Sequence, residues 1–97
     1  TYRVSNLDEA GPANEQTIQF IHKVPKEPGS AELITATNGT TNEEVLAVLI
    51  DRIQFLNTKF PCRENSIVLT HLETALMWLN KRTNDRKARG VEGKAAK

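Results

Sequence analysis

Two long segments with apolar residues at helical spacing, separated by a proline, limit what this chain can form. The first segment is predicted to be a helix over residues 42–59, because Thr41 and Glu44 form a capping box at its start and Pro61 cannot continue it. Its apolar stripe consists of Leu46, Leu49, Ile50, Ile53, Leu56 and Phe60, with Val45 at the edge. This stripe is the predicted core face of the first helix.

The second segment carries a matching apolar stripe. It is predicted to begin near Glu64 or Asn65 and to end at Gly90 and Gly93. Its stripe consists of Val68, Leu69, Leu72, Ala75, Leu76, Leu79 and then Thr83. Because the link around Cys62 is short, we expect two antiparallel helices whose stripes face each other as a hairpin.

Each predicted helix also carries apolar residues outside its core stripe. Val48 and Phe55 lie on the far side of the first helix, and Ile67 and Trp78 lie together on another side of the second. A chain of 97 residues forms a small core and buries about 60–65% of its unfolded surface. These faces therefore predict oligomerisation, with Trp78 as a candidate anchor against a sister subunit.

The residues before the hairpin predict a short β-ribbon. Residues 1–14 show no periodicity and are expected to be a flexible arm or a segment that orders on a neighbour. Alternation predicts one strand over residues 17–24, a turn at residues 25–29 that contains two prolines and a glycine, and a return strand over residues 32–37. Such a ribbon needs a helix or another subunit beneath it to be stable.

The expected fold class is α+β, mainly α, with a short N-terminal β-ribbon followed by an antiparallel two-helix hairpin that oligomerises. The expected divisions are a flexible arm at residues 1–14, a single domain at 15–93 with its ribbon at 15–40 and its hairpin at 41–93, and a disordered tail at 94–97.

Several classes of protein are excluded by what the sequence lacks. Cys62 is its one cysteine, so one chain can form neither an intrachain disulfide nor a cysteine-based zinc site. His22 and His71 lie on different predicted elements, and no Gly-rich phosphate loop or Gly-x-Ser-x-Gly motif occurs. No apolar run approaches the roughly 18 residues of a membrane span, and the first residues do not form a signal peptide. We therefore expect a cytosolic protein that is not an enzyme and has no metal, cofactor or membrane partner.

Positive charge is concentrated after residue 80. Residues 1–80 contain six Lys and Arg against ten Asp and Glu, whereas residues 81–97 contain seven against two. This gradient favours an anionic ligand or nucleic acid near the C-terminal end. A basic helix end is also favoured by the helix dipole without any ligand, so both interpretations remain open.

Two arginines in this basic stretch are candidate ligand contacts. Arg82 and Arg86 are four residues apart and lie near the core side of the second helix. Two guanidinium groups one turn apart suit a phosphate or pyrophosphate, which each can bind through two hydrogen bonds. Ion pairs with acidic side chains such as Asp51 or Asp85 are an equally open interpretation.

Asn65 and Phe55 are two further candidates. Asn65 shares the sector of the core stripe, where an amide needs a partner, and Phe55 offers a ring on which a base could stack. Helix capping by Asn65 and a subunit contact by Phe55 remain open alternatives. Along a helix Asn65 and Arg82 are about 26 Å apart, so one chain cannot close both around a small ligand. A site that uses all four residues should therefore lie between two antiparallel chains.

A family resemblance is carried by several runs in the second half of the chain. In order, they are Cys62-Arg63-Glu64-Asn65, Trp78-Leu79, the Arg82-x-x-x-Arg86 spacing and Arg89-Gly90-Val91-Glu92-Gly93. Through these runs the segment over residues 41–93 resembles a family of small phage proteins, the helical-hairpin sponges that counter the bacterial Thoeris and CBASS defences. The ribbon before the hairpin is most similar to the Thoeris anti-defence branch.

The resemblance implies sequestration of a bacterial immune signalling nucleotide, which such proteins hold without cleaving it. For the Thoeris branch the implied ligand is glycocyclic ADP-ribose at a dimer interface, with its adenine on Phe55 near Asn65 and its pyrophosphate on Arg82 and Arg86. The family also includes trimers of dimers with separate sites for cyclic di- and trinucleotides. The implied location is the cytoplasm of the infected bacterial host.

Two other classes of function remain open from the residues themselves. A nucleic-acid-binding hairpin would use the basic C-terminal end electrostatically, and its duplex binding would weaken steeply with salt. A small oligomeric interaction protein would use Trp78 and Phe55 as interface anchors and would bind no small molecule.

Overall fold

The computed structural model describes residues 1–8, 14–90 and 94, and in these ranges it contains four short strands followed by two helices. The strands are β1 (Tyr2–Ser5), β2 (Glu15–Ile18), β3 (His22–Pro25) and β4 (Leu33–Thr37), and the helices are α1 (Asn42–Lys59) and α2 (Arg63–Ala88). The predicted fold class, strands followed by a mainly helical second half, is confirmed. Neither helix is long and apolar enough to cross a membrane.

Both predicted helices form, with boundaries close to those expected. At the start of α1, the Thr41 hydroxyl accepts a hydrogen bond from the Glu44 backbone N–H at 3.2 Å, as the capping box predicts. α2 begins slightly earlier than predicted because the Cys62 sulfur caps it and accepts from the Asn65 N–H at 3.4 Å. Beyond the end of α2, Gly90 adopts a positive φ of 72°, which is the usual conformation for ending a helix. The predicted stop at residue 93 lies outside the described residues.

The turn of the hairpin is held by a side chain that the sequence analysis did not single out. The Asn57 Oδ1 atom accepts a hydrogen bond from the Cys62 backbone N–H at 3.0 Å, and its Nδ2 atom donates to the Ser66 hydroxyl at 3.3 Å. Asn57 therefore joins the last turn of α1 to the first turn of α2. An asparagine shortly before a helix-ending proline is the signal that could have indicated this role.

The strands form two separate antiparallel pairs, β1 with β2 and β3 with β4. The predicted turn between β3 and β4 is present, and Gly29 within it has a positive φ of 80°. β1 lies inside the segment expected to be a flexible arm or to order on a neighbour, and at Tyr2–Ser5 the structure has the ordered alternative. β1 has no periodic signal of its own and is ordered by its pairing with β2. Of the predicted arm, residues 9–13 lie outside the described residues, as do residues 95–97 of the predicted tail.

The single strand predicted over residues 17–24 is broken into β2 and β3. Between them, the Thr40 N–H donates to the Gln19 carbonyl oxygen at 2.8 Å, and the Ile21 N–H donates to the Thr40 carbonyl oxygen at 2.9 Å. Residues 19–21 therefore pair with Thr40 and belong to neither strand pair. Gly39 makes the close approach possible, since a Cβ atom there would lie 2.6 Å from the carbonyl carbon of Phe20. These backbone contacts between residues 19–21 and residues 39–40, called the backbone seam, fix the strands against the start of α1.

The helices contact each other along the predicted stripes, but no apolar side chain in the described part of the chain is buried. The half-buried stripe residues include Leu46, Ile50, Ile53, Leu56, Leu69, Leu72, Leu76 and Leu79. Phe60, which the pattern assigns to the core, is instead 76% exposed. It occupies the C-cap of α1, where φ of −134° and ψ of 78° leave helical geometry and turn the side chain off the stripe.

A single chain therefore leaves much apolar surface in contact with water. Its accessible surface is 7628 Å², whereas a compact monomer of this mass exposes about 5,500 Å². Its radius of gyration is 17.4 Å, compared with about 12.5 Å for a compact domain of this length. Val48 and Trp78, both predicted to lie outside the core stripes, are 62% and 59% exposed.

Candidate functional site

A cleft of about 800 Å³ lies where the strands meet the start of α1 and the later part of α2. Its walls include Tyr2, Phe20, Thr41, Glu43, Arg82 and Thr83. The volume is within the roughly 300–1,000 Å³ that is typical of small-molecule sites. The structure thus places one of the predicted ligand contacts, Arg82, beside a cavity of suitable size.

The guanidinium of Arg82 is available to an anion. Arg82 is exposed, and no ion pair or side-chain hydrogen bond engages it within residues 1–8, 14–90 and 94. Asp85, one of the acidic partners considered for the arginines, pairs with Lys81 at 2.9 Å. The ion-pair interpretation of Arg82 is therefore wrong for the described part of the chain.

Arg86 has a different environment, although it lies one turn further along α2. It is 6% exposed and is the one buried residue in the described ranges. Its Nη2 atom donates a hydrogen bond to the carbonyl oxygen of Lys94 at 2.7 Å. Lys94 also forms an antiparallel bridge with Glu32, so Arg86 holds Lys94 beside the residue that precedes β4. In the single chain Arg86 therefore has a structural role.

Phe55 lies on α1 and is 51% exposed. The guanidinium carbon of Arg52 is 5.9 Å from the ring centroid, and the Lys59 Nζ atom is 5.0 Å from it. Cations at these distances are attracted to the negative face of an aromatic ring. The Phe55 surface is therefore an aromatic ring in a positive environment, which suits a flat group attached to phosphate.

Asn65 lies in the first turn of α2 and is half-buried. Because the Cys62 sulfur caps this helix, the alternative in which Asn65 is the cap is wrong. Within the described residues the side-chain amide of Asn65 has no hydrogen-bond partner. It can therefore still donate to or accept from a ligand or a second chain.

The four predicted site residues fall into two separate halves. Phe55 and Asn65 lie on the helical turns next to the hairpin link, whereas Arg82 and Arg86 lie at the opposite end of α2, beside the strands. At about 1.5 Å per residue, Asn65 and Arg82 are about 26 Å apart along the helix axis. One chain therefore does not bring the two halves together.

The strand side of the cleft was missed by the sequence analysis. Tyr2 and Phe20 form an edge-to-face pair with ring centroids 5.5 Å apart and planes at 88°. The alternating pattern places Phe20 on one face of a strand, but Tyr2 lies in a segment without periodicity. The two rings meet only through the pairing of β1 with β2, so no local signal could have indicated this contact.

Comparison with known proteins assigns the fold to a family. The family model of the Acb2/Tad1 hairpin domain matches residues 12–84. A curated relative, "Thoeris anti-defense 1" from Bacillus phage SBSphiJ7, is 58% identical over 57 residues, which are 58% of this chain and 40% of the relative. The chain thus spans well under half of that relative's length. Since the hairpin-domain match covers most of the chain and agrees with the resemblance carried by its motifs, the chain belongs to the Acb2/Tad1 hairpin family.

Proposed function

We propose that this protein is a phage anti-defence protein that binds a bacterial immune signalling nucleotide and holds it without cleaving it. Membership of the Acb2/Tad1 hairpin family and the name of the Bacillus phage relative support an action against the Thoeris defence. The proposed ligand is glycocyclic ADP-ribose, with cyclic di- and trinucleotides at separate sites. The proposed location is the cytoplasm of the infected host.

The observation that carries this proposal is the complementary character of the two ends of the hairpin. One end presents the exposed ring of Phe55 and the unpartnered amide of Asn65. The other end presents the guanidinium of Arg82 beside a cleft of about 800 Å³. Two chains arranged antiparallel would place these ends together, so that the adenine stacks on Phe55 and the pyrophosphate binds Arg82 and, in place of the Lys94 carbonyl, Arg86.

A homodimer is the proposed unit, and three such dimers the proposed assembly. The single chain exposes 7628 Å², about 2,000 Å² more than a compact monomer of its mass. This excess on one chain is more than twice the roughly 800 Å² that each partner buries in a standard protein interface, so it is large enough for a dimer contact and a further contact. In a dimer with two-fold symmetry each chain contributes Phe55 to one site and Arg82 to the other, giving two equivalent sites.

Retention without cleavage is proposed because the site residues supply binding groups and no nucleophile. Phe55 provides a ring for stacking, Asn65 provides hydrogen-bonding groups, and the arginines provide positive charge. A ligand held in this way is removed from solution, so the defence effector is not activated.

The proposal is tested by calorimetric titration of the protein with glycocyclic ADP-ribose, followed by heating of the complex and mass spectrometry of the released ligand. We expect saturable binding and release of the intact nucleotide. Release of a cleaved product would show an enzyme, and the absence of binding to this ligand and to cyclic di- and trinucleotides would leave an interaction protein.

Matched variants link any binding to the proposed residues. Phe55→Ala and Arg82→Ala should abolish retention, while light scattering shows an unchanged oligomer. Phe60→Ala removes another exposed phenylalanine, and Lys87→Ala removes another exposed positive charge near the end of α2, so both should retain ligand. Unchanged retention in both Phe55→Ala and Arg82→Ala would exclude the proposed pocket.

A further inference from the structure

The cleft beside Arg82 contains groups that the proposed stacking and pyrophosphate contacts do not use. Tyr2 and Phe20 supply an edge-to-face aromatic pair, and Thr41 and Glu43 supply a hydroxyl and a carboxylate at the start of α1. Glu43 is half-buried, and no ion pair joins it to Arg82 within the described residues. The cleft therefore combines one cation, one carboxylate acceptor and an apolar aromatic wall.

These groups match the chemistry of a ribose joined to a phosphate. An ionised carboxylate accepts hydrogen bonds from hydroxyl groups, and carboxylates are a recurrent partner of ribose hydroxyls in nucleotide sites. The aromatic pair offers apolar area to the C–H face of the sugar ring. Arg82 lines the same cleft, so a phosphate attached to a ribose bound there would lie within reach of its guanidinium.

We propose that this cleft is the ribose subsite of the nucleotide site, with Glu43 accepting from the ribose hydroxyls and the Tyr2–Phe20 pair covering the sugar. This inference rests on the proposed function and adds a part of the site that lies in the strands. It makes β1 a binding element, because Tyr2 reaches the cleft through the β1–β2 ladder. It also gives the site selectivity for ribose over sugars that lack a hydroxyl.

The geometry of the seam supports a preformed subsite. Thr40 bonds to the backbone of Gln19 and Ile21 on either side of Phe20, which ties the aromatic wall to the first turn of α1. The backbone at Phe20 is thus fixed relative to the first turn of α1, which carries Glu43. A subsite held in this way loses little further conformational freedom when it binds a ligand.

The test compares Glu43→Gln with Glu44→Gln in titrations with glycocyclic ADP-ribose. Both changes remove one negative charge from the same turn of α1, but Glu44 does not line this cleft. If Glu43 accepts from ribose, Glu43→Gln should weaken binding by about tenfold or more, while Glu44→Gln leaves the affinity unchanged or slightly higher. Affinity that is unchanged or increased in Glu43→Gln would overturn the assignment, because a carboxylate that merely repels the phosphate gives that result.

Ligand analogues provide the second arm. Each free ribose hydroxyl of glycocyclic ADP-ribose is replaced in turn by hydrogen, and each analogue is titrated against the unmodified protein and Glu43→Gln. One analogue should bind the unmodified protein about tenfold more weakly than the parent ligand does. On Glu43→Gln, the same analogue and the parent ligand should bind with equal affinity. Tyr2→Leu should weaken the parent ligand severalfold, whereas Arg3→Leu on the same strand should not.

The outcomes separate this inference from the proposed function. Phe55→Ala and Arg82→Ala could lose the ligand while Glu43→Gln and Tyr2→Leu bind it normally. That result would support the proposed nucleotide sequestration and show that the ribose subsite is wrong. If the unmodified protein binds none of the nucleotides, both proposals fall together.

Discussion

The Arg86 guanidinium donates a hydrogen bond to the Lys94 carbonyl oxygen at 2.7 Å, which joins the last turn of α2 to Lys94. Arg82, one turn earlier, lines the cleft and has no ion pair in the described ranges. The spacing predicts that the two arginines act as a pair. In the single chain, however, Arg86 is buried and hydrogen-bonded, whereas Arg82 is exposed.

The first prediction compares how much each of these two arginines contributes to the free energy of unfolding. Arg86→Ala should lower the free energy of unfolding by about 1.5–3 kcal/mol, because a hydrogen bond to a charged donor is lost at a buried position. Arg82→Ala should change it by no more than about 0.5 kcal/mol, as is usual for an exposed residue. Urea unfolding at one fixed protein concentration measures both values. Equal effects of the two changes would contradict the difference in environment.

The second prediction concerns the backbone seam at Gly39. Gly39→Ala should destabilise the protein by about 1–3 kcal/mol, because the new Cβ would meet the backbone at Phe20 and Ile21, which cannot move as a side chain can. Gly29→Asn is the control, since that position has positive φ, which asparagine tolerates, and nothing within 4 Å of an added Cβ. A thermal melt in which both variants match the parent protein would show that the seam is not close-packed.

The third prediction concerns the asparagine at the hairpin turn. Asn57→Ala should cost about 1–2 kcal/mol, because the Cys62 N–H and the Ser66 hydroxyl each lose a hydrogen-bond partner. Asn57→Asp keeps the acceptor for the Cys62 N–H and should cost less. Gln54→Ala, an exposed position in the same helix, should be nearly neutral in the same chemical denaturation series.

The fourth prediction tests whether two chains build each nucleotide site. Phe55→Ala and Arg82→Ala protomers should each bind no ligand alone, but when they are unfolded and refolded together, each mixed dimer should contain one intact site. For random pairing of equal amounts, calorimetry should recover about a quarter of the sites of the unmodified protein. No recovery in samples whose mixed dimers are verified by mass spectrometry would mean that each site lies within one chain.

The helical hairpin could be predicted because its signals are local. Thr41 caps α1 from three residues away, Pro61 ends the helix beside it, and the apolar stripe repeats within single turns. The family motifs are local as well, which is why the resemblance and the two pairs of candidate residues could be identified without coordinates. Phe60 is the exception on α1, because its direction depends on the cap conformation and not on the helical period.

Contacts between distant residues decided the rest. β1 is ordered by β2, and the strand predicted over residues 17–24 is divided by Thr40, which lies well beyond its end in the sequence. The aromatic wall of the cleft exists because Tyr2 meets Phe20 across the β1–β2 ladder. Likewise, helical periodicity places Arg82 and Arg86 on nearby sides of α2. Arg86 is the buried one of the two, and it is hydrogen-bonded to Lys94, which the helical period does not predict. The helices and the chemical types available for a site could be predicted from the sequence, because helix signals are local and each residue's chemistry is its own. Which side chains are buried and which line the cleft depends on tertiary contacts, because burial is produced by segments that meet only after folding.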